Sequence, residues 1–267
     1  MSGNATQEVG IAIGELPIAI RSRDARFVAM LRNRYANFRS EPADASRRLD
    51  VTIVPPAPLT VEVDLEVRRD ADEWVMKRGD FTARWNPRSR RGSVTQSANP
   101  YSIDSALRII HSLELANTDG FLLHSASAIR NGRAFLFSGI SGAGKTTITR
   151  MAPADAIRLT DEISYVRRSD GTYRAFGTPF SGELATPGDN AVAPIAALYF
   201  LRQGSANGIT PIAPEIAVRR LLRNILFFAH DEELVAQVFR SACAFVDAVP
   251  TCELTFRPEP EVWRLVA

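Results

Sequence analysis

The chain has 267 residues, 45% of them hydrophobic and 23% charged, which suits a folded protein with a substantial core. Its 32 Lys plus Arg against 30 Asp plus Glu leave a formal charge of +2, so no bulk attraction to nucleic acid is expected. The two cysteines, Cys243 and Cys252, have neither short spacing nor histidine company, no stretch approaches the ~20 apolar residues of a membrane span, and no apolar run marks a signal peptide. A zinc site, a disulfide framework, a membrane and secretion are therefore set aside, and a reducing cytoplasm is the expected location.

In chain order, residues 9–14 and 16–21 read as short strands around a Gly14-Glu15 turn. Asp24 then caps a helix whose apolar positions Phe27, Val28, Leu31, Tyr35 and Phe38 recur at helical spacing. Residues 49–54 alternate as a strand, Pro55, Pro56 and Pro58 break it, and residues 59–67 alternate again with Val61, Val63, Leu65 and Val67 on one face. Residues 74–76, 81–85 and 93–96 continue a β-rich meander. An antiparallel region without a catalytic constellation is thus expected over residues 1–100. Arg84, Arg88, Arg90 and Arg91 cluster at a Pro/Gly turn and read as a solvated hairpin tip.

Residues 101–116 read as a helix with Ile103, Leu107, Ile110, Leu113 and Leu115 on its apolar face and His111 within it as a structural residue. Residues 120–129 form a strand, and Asn131-Gly132 predicts a type I′ turn into the next one. That strand, Ala134-Phe135-Leu136-Phe137, runs into Gly139-Ile140-Ser141-Gly142-Ala143-Gly144-Lys145-Thr146 and then Thr147. The run has the form G-x-x-x-x-G-K-[ST] in strand–loop–helix order, so it reads as a phosphate-binding loop. Gly139, Ser141, Gly142, Ala143, Gly144, Lys145, Thr146 and Thr147 are its expected nucleotide contacts. The glycines let successive N–H groups turn inward around an anion, and the helix start adds its dipole. Lys145 would reach the terminal phosphates and the Thr146 hydroxyl would bind Mg²⁺. Only Lys77 and Lys145 are lysines in this arginine-rich chain, and the planar fork of an arginine does not replace a compact ammonium.

After the loop helix, residues 156–160 lead into Asp161-Glu162 and then 163–166. Adjacent strand residues face opposite sides, so the two carboxylates are expected to do different jobs unless a bulge turns both inward. A hairpin tip at Asp170-Gly171, a return strand at 173–176 and a Gly/Pro-containing loop over 177–190 follow. Residues 195–201 read as a buried strand, 217–228 and 232–246 as amphipathic helices, 252–256 as a last strand and 260–265 as a short helix.

Leu123-His124-Ser125-Ala126, the loop ending in Gly144-Lys145-Thr146, and Leu159-Thr160-Asp161-Glu162 together resemble the catalytic domain of HPr kinase/phosphorylase and its relatives, over roughly residues 105–202. The resemblance implies a mixed α/β (α+β) fold with a phosphoenolpyruvate carboxykinase-like P-loop kinase core over 101–267, after the β-rich region of 1–100. It makes Asp161 the general base for the acceptor hydroxyl, puts Glu162 with Thr146 at a Mg²⁺ site, and sets His124 beside the γ-phosphate. Asp161, His124 and Lys145 are then the catalytic set. The family's Glu-Ile-Arg-Gly-Leu-Gly-like segment has no arginine-bearing counterpart in residues 176–188, which speaks against the phosphorylase direction.

The expectation is an ATP- and Mg²⁺-dependent kinase acting on a hydroxyl, foremost serine, of a small protein or peptide. Neither nucleic acid nor membrane is an expected partner, and a homo-oligomer is carried over from the family. The alternative is a regulatory module that binds or slowly hydrolyses ATP without transferring phosphate. Carboxykinase chemistry is disfavoured because no lysine or histidine remains for a second metal. Arg202, Arg219, Arg220 and Arg223 are the candidates for further cationic help in the transition state.

Overall fold

Where two consecutive residues can take positive φ, the chain folds back on itself. Gly14-Glu15 (φ 61° and 61°), Asn131-Gly132 (52° and 72°) and Asp170-Gly171 (50° and 76°) each close a two-residue hairpin. Their left-handed backbone matches the twist of the strands they join. In the computed structural model, which describes residues 5–56 and 64–266, these hairpins belong to two mixed sheets of a mixed α/β protein. The sheets fall in separate units, Met1–Glu114 with Phe228–Val235, and Leu115–Phe227 with Ala236–Ala267.

The first unit contains β1 (Gln7–Ile13), β2 (Leu16–Ser22), α1 (Ala25–Arg34), β3 (Arg39–Ser40), β4 (Arg47–Ile53), β5 (Glu66–Asp70), β6 (Glu73–Arg78), β7 (Phe81–Asn86) and β8 (Arg91–Gln96). Asp24 caps α1 by accepting the Phe27 N–H at 2.9 Å. Phe27, Val28 and Leu31 are buried on α1 as their spacing requires; Tyr35 and Phe38 are buried too, but the helix ends at Arg34 and Phe38 sits in a following 3-10 turn. The strands order as β3-β1-β2-β4-β8-β7-β6-β5. The antiparallel expectation holds for the β5–β8 meander but not for β4, which lies parallel to both β2 and β8. Alternation of side chains marks a strand but carries no direction. The long excursions on either side of β4 permit the parallel crossovers that a tight turn forbids. Of the expected strand at 59–67, residues 59–63 lie outside the described residues. The arginine cluster is solvated and partly paired: Arg84 meets Glu73 at 2.6 Å and Asp70 at 3.0 Å.

Helix α2 (Pro100–Ala116) carries His111, which is 2% exposed. Burial, aided by the charge of Arg47, pushes its pKa down to about 3. Arg47 itself pairs with Glu114 at 2.6 Å. Below the ordinary value of about 6.5 the unfolded chain takes up a proton at His111 that the folded chain refuses until about pH 3, so stability is full above 6.5 and lost as pH falls through that window. His111→Gln is expected to flatten the acid limb. Unfolding free energies from urea titrations between pH 7 and pH 4 should fall more steeply in the parent, by up to ~1.4 kcal/mol per pH unit.

The second unit contains β9 (Gly120–Arg130), β10 (Arg133–Ser138), α3 (Lys145–Arg150), β11 (Ile157–Thr160), β12 (Ile163–Ser169), β13 (Thr172–Phe176), β14 (Val192–Gln203), β15 (Gly208–Pro211), α4 (Pro214–Leu222), β16 (Ile225–Leu226), α5 (Glu232–Ala248), β17 (Thr251–Phe256) and α6 (Trp263–Val266). Strands pair along β10-β9-β12-β13-β14-β17-β15, and β10 also pairs with β14, so the pairing path closes on itself. Residues of β10 alternate between two cores. Ala134 and Leu136 join Phe121, Leu221 and Phe245, while Phe135 and Phe137 join Ile148, Phe256 and Trp263. The Trp263 indole donates to the Ile148 carbonyl at 3.0 Å, tying α6 to α3.

Two readings of the sequence change here. The helix expected over 217–228 ends at Leu222, and Ile225–Leu226 instead forms β16 against Leu122 and Leu123 of β9. Unpaired backbone on a buried strand outweighs a local helical pattern. Strand β15, in a polar Gly/Pro stretch, has no apolar alternation to announce it and forms by pairing with β17. No described helix is long and apolar enough to cross a membrane.

Candidate functional site

Strands β10, β14 and β17 are mutually parallel, so their carboxyl ends lie on one side. Crevices at such ends are where α/β sheets receive ligands. The 139–144 loop leaves β10 there, and the neighbouring strand ends shape it. Gln203, closing β14, donates to the Gly142 carbonyl at 2.8 Å. Phe256, closing β17, packs so near Gly144 that an added Cβ would sit 2.6 Å from its ring.

Gly142 and Gly144 have φ of +79° and +107°, which an L side chain adopts only with strain. Gly142 faces open space, so Gly142→Ala should cost backbone strain alone, about 1 kcal/mol. Gly144→Ala adds the collision with Phe256 and should cost at least about twice as much. Thermal unfolding of the two variants checks the order; equal shifts would remove Phe256 from the account.

The Lys145 side chain curls back over the loop. Its ammonium donates to the carbonyls of Gly139 at 2.9 Å and Ile140 at 3.3 Å. Burial lowers its pKa, while the charges of Glu162 and Glu183 hold it up. The loop borders a cavity of about 230 Å³ lined by His124, Ser141, Gly142, Gly144, Lys145, Thr146, Thr147, Glu162 and Glu183. Its walls are mostly polar and carry one ammonium, three hydroxyls, an imidazole and two carboxylates. Gly139 and Ala143 form the loop without lining the cavity. Ala143 turns into the apolar core beside Ile148.

Asp161 and Glu162 part company. Thr160 ends β11, and its hydroxyl accepts the N–H groups of Glu162 at 3.1 Å and Ile163 at 3.2 Å, which bends the chain before β12. Asp161 turns inward, 2% exposed, and accepts the N–H groups of Gly182 at 3.1 Å and Leu184 at 2.9 Å. It therefore ties down the 177–190 loop and does not line the cavity, whereas Glu162 does.

His124 sits on β9 with its N–H bonded to the Asn224 carbonyl at 2.7 Å, and its own carbonyl accepts the Ser138 hydroxyl at 3.0 Å. Burial, then the nearby Lys145 charge, lower its pKa against the pull of Glu162, which favours the neutral ring. Nδ1 and the Glu162 carboxylate are 3.6 Å apart, a polar contact too long for a hydrogen bond.

Glu183 was not singled out in the sequence. It becomes a cavity residue only because Asp161 grips the N–H groups on either side of it, and because Thr178 and Asp189 bond back to β11. Of the four downstream arginines, Arg202 and Arg220 both pair with Glu253, at 3.2 and 2.8 Å, and none of the four lines the cavity.

Among the described residues no three His, Cys, Asp or Glu side chains gather as a self-contained metal cage. The donors at the cavity are nevertheless hard oxygens: the Thr146 hydroxyl and the carboxylates of Glu162 and Glu183. That set fits Mg²⁺, which takes one or two carboxylates and completes its shell with water and substrate phosphate.

A structure of the Hpr(Ser) kinase/phosphatase from Coxiella burnetii is similar to this chain at a TM-score of 0.27 and 6% identity, covering 45% of this chain and 87% of that one. No curated protein matches the sequence. A family model described as SynChlorMet cassette protein ScmC matches residues 93–264, well over half of the 267, and includes the whole of the cavity described above. The chain belongs to the ScmC family.

Proposed function

We propose that this protein is an ATP- and Mg²⁺-dependent phosphotransferase that moves the γ-phosphoryl group to a hydroxyl, foremost a serine, of a small protein or peptide. One observation carries the reading. The G-x-x-x-x-G-K-[ST] loop at the end of β10 shares a cavity with an imidazole and two carboxylates drawn from separate segments. The resemblance of these segments to HPr kinase supports the choice of a hydroxyl acceptor.

Phosphoryl transfer needs positioning and charge neutralisation more than covalent chemistry. Lys145 supplies the compact positive charge. Thr146 and Glu183 would hold Mg²⁺, which when bound offsets phosphate charge as a Lewis acid. Glu162, with His124 beside it, faces the cavity and takes the proton of the attacking hydroxyl. Asp161, whose oxygens are engaged by backbone N–H groups, acts at one remove by holding the loop that carries Glu183.

Incubation with γ-labelled ATP and serine-bearing peptides tests the proposal. Label should appear on peptide in a Mg²⁺-dependent manner and disappear in Glu162→Gln. Saturable ATP binding with no acceptor labelled would instead favour the regulatory module.

A further inference from the structure

A groove in the first unit lies far along the sequence from the glycine loop and rests on no part of the kinase reading. It has a volume of about 570 Å³, within the range of ligand sites. Its position follows from topology. Strands β2 and β4 are parallel neighbours, and the chain leaves them in opposite directions: from β2 through α1 to β3 at one edge, and from β4 to β5 at the other. The crevice outside the carboxyl ends of such a pair is a topological switch point, the preferred ligand site of an open α/β sheet. The groove is lined by the last residues of these two strands and the start of α1.

Its chemistry is two-signed. Arg21 and Asp50 face each other across the strand pair at 3.6 Å, a loose contact with both side chains substantially exposed. Arg23 is exposed and carries no ion pair among the described residues. Asp24 spends one oxygen on the Phe27 N–H and leaves the other unengaged among the described residues. Ser22 and Thr52 add hydroxyls. A multiply charged anion such as phosphate would meet two guanidinium groups but also two carboxylates at close range, which removes much of the attraction. A ligand bearing one charge of each sign satisfies both. The guanidinium fork suits a carboxylate through paired N–H donors, and an aspartate suits an ammonium.

The geometry points to a binding site for a zwitterion of the α-amino-acid or short-peptide class. Arg21 and Arg23 receive its carboxylate, and Asp24 and Asp50 receive its ammonium.

Calorimetric titration of the full chain tests this, using each proteinogenic L-amino acid, Ala-Ala-Ala, N-acetyl-Ala-Ala-Ala, Ala-Ala-Ala-amide and inorganic phosphate. At least one amino acid or the free tripeptide should bind saturably, and acetylation or amidation should weaken it. Arg23→Ala should reduce affinity ~10-fold or more with an unchanged melting temperature, because this exposed side chain holds nothing in the fold. Arg21→Gln is the second variant. The proposal is overturned if no amino acid or peptide binds, if phosphate alone binds, or if binding persists unchanged in both variants. No ATP enters the experiment, so any of these results leaves the kinase reading standing.

Discussion

Lys145→Ala is expected to lower phosphoryl transfer by ~10²–10³-fold, the loss seen when one preorganised electrostatic donor is removed from a transition state. Here the effect has a specific source. Lys145 is 8% exposed and its ammonium is already held against the carbonyls of Gly139 and Ile140, so its position costs little reorganisation when substrate arrives. The same substitution also removes two charge-assisted bonds from the loop, so ATP affinity should fall together with the rate. Lys145→Arg should not restore activity. The guanidinium is longer and planar, and it cannot donate to both carbonyls from the position of a single nitrogen. Lys77→Ala, on the exposed part of β6, serves as the control and should behave like the parent. Normal labelling of peptide by Lys145→Ala would end the kinase assignment of this cavity.

Exchanging the two adjacent carboxylates for their amides should give opposite phenotypes. Glu162→Gln keeps the shape of a partly exposed cavity residue but removes the proton acceptor. Transfer should drop ~10²–10⁴-fold with ATP affinity and melting temperature little changed. Asp161→Asn offers one acceptor oxygen where two backbone N–H groups now find one each. Either Gly182 or Leu184 must then face an amide NH₂. The lost bond to a buried charged group costs about 2–3 kcal/mol, and the melting temperature should fall by ~5–10 °C. Loosening of the 177–190 loop also withdraws Glu183, so the Mg²⁺ concentration needed for activity should rise in this variant. Asp161→Asn with parental stability and no transfer would return the general-base role to Asp161.

The aspartate–glutamate pair marks where sequence reasoning stops. Asp161 and Glu162 lie at the bend between β11 and β12 rather than within a strand, so strand alternation does not set their directions. Which one turns toward the cavity depends on the Thr160 hydroxyl capping the bend and on a loop some twenty residues later supplying N–H groups to Asp161. No pattern within the segment contains that information. Glu183 is the same case from the other side, an unremarkable carboxylate in a Gly/Pro loop until the loop is folded onto β11. Strand β4 repeats the lesson in the first unit, where periodicity announced a strand and only the sheet assigned its direction.

Local physics was legible throughout. Positive-φ pairs at Gly14-Glu15, Asn131-Gly132 and Asp170-Gly171 marked the hairpins, Asp24 marked the start of α1, and apolar spacing at 3.6 residues marked its buried face, because each depends on atoms a few residues apart. The glycine loop was legible too, since its spacing is itself the constraint, with Gly144 confined by its own φ. What the tertiary structure alone decided is everything that joins distant segments: the pairing of β16 with β9 in place of a longer helix, the Phe256 ring against Gly144, and the carboxylates that share the cavity with Lys145. Those contacts arise from burying backbone and apolar surface together, and that free energy belongs to the whole sheet rather than to any stretch of sequence.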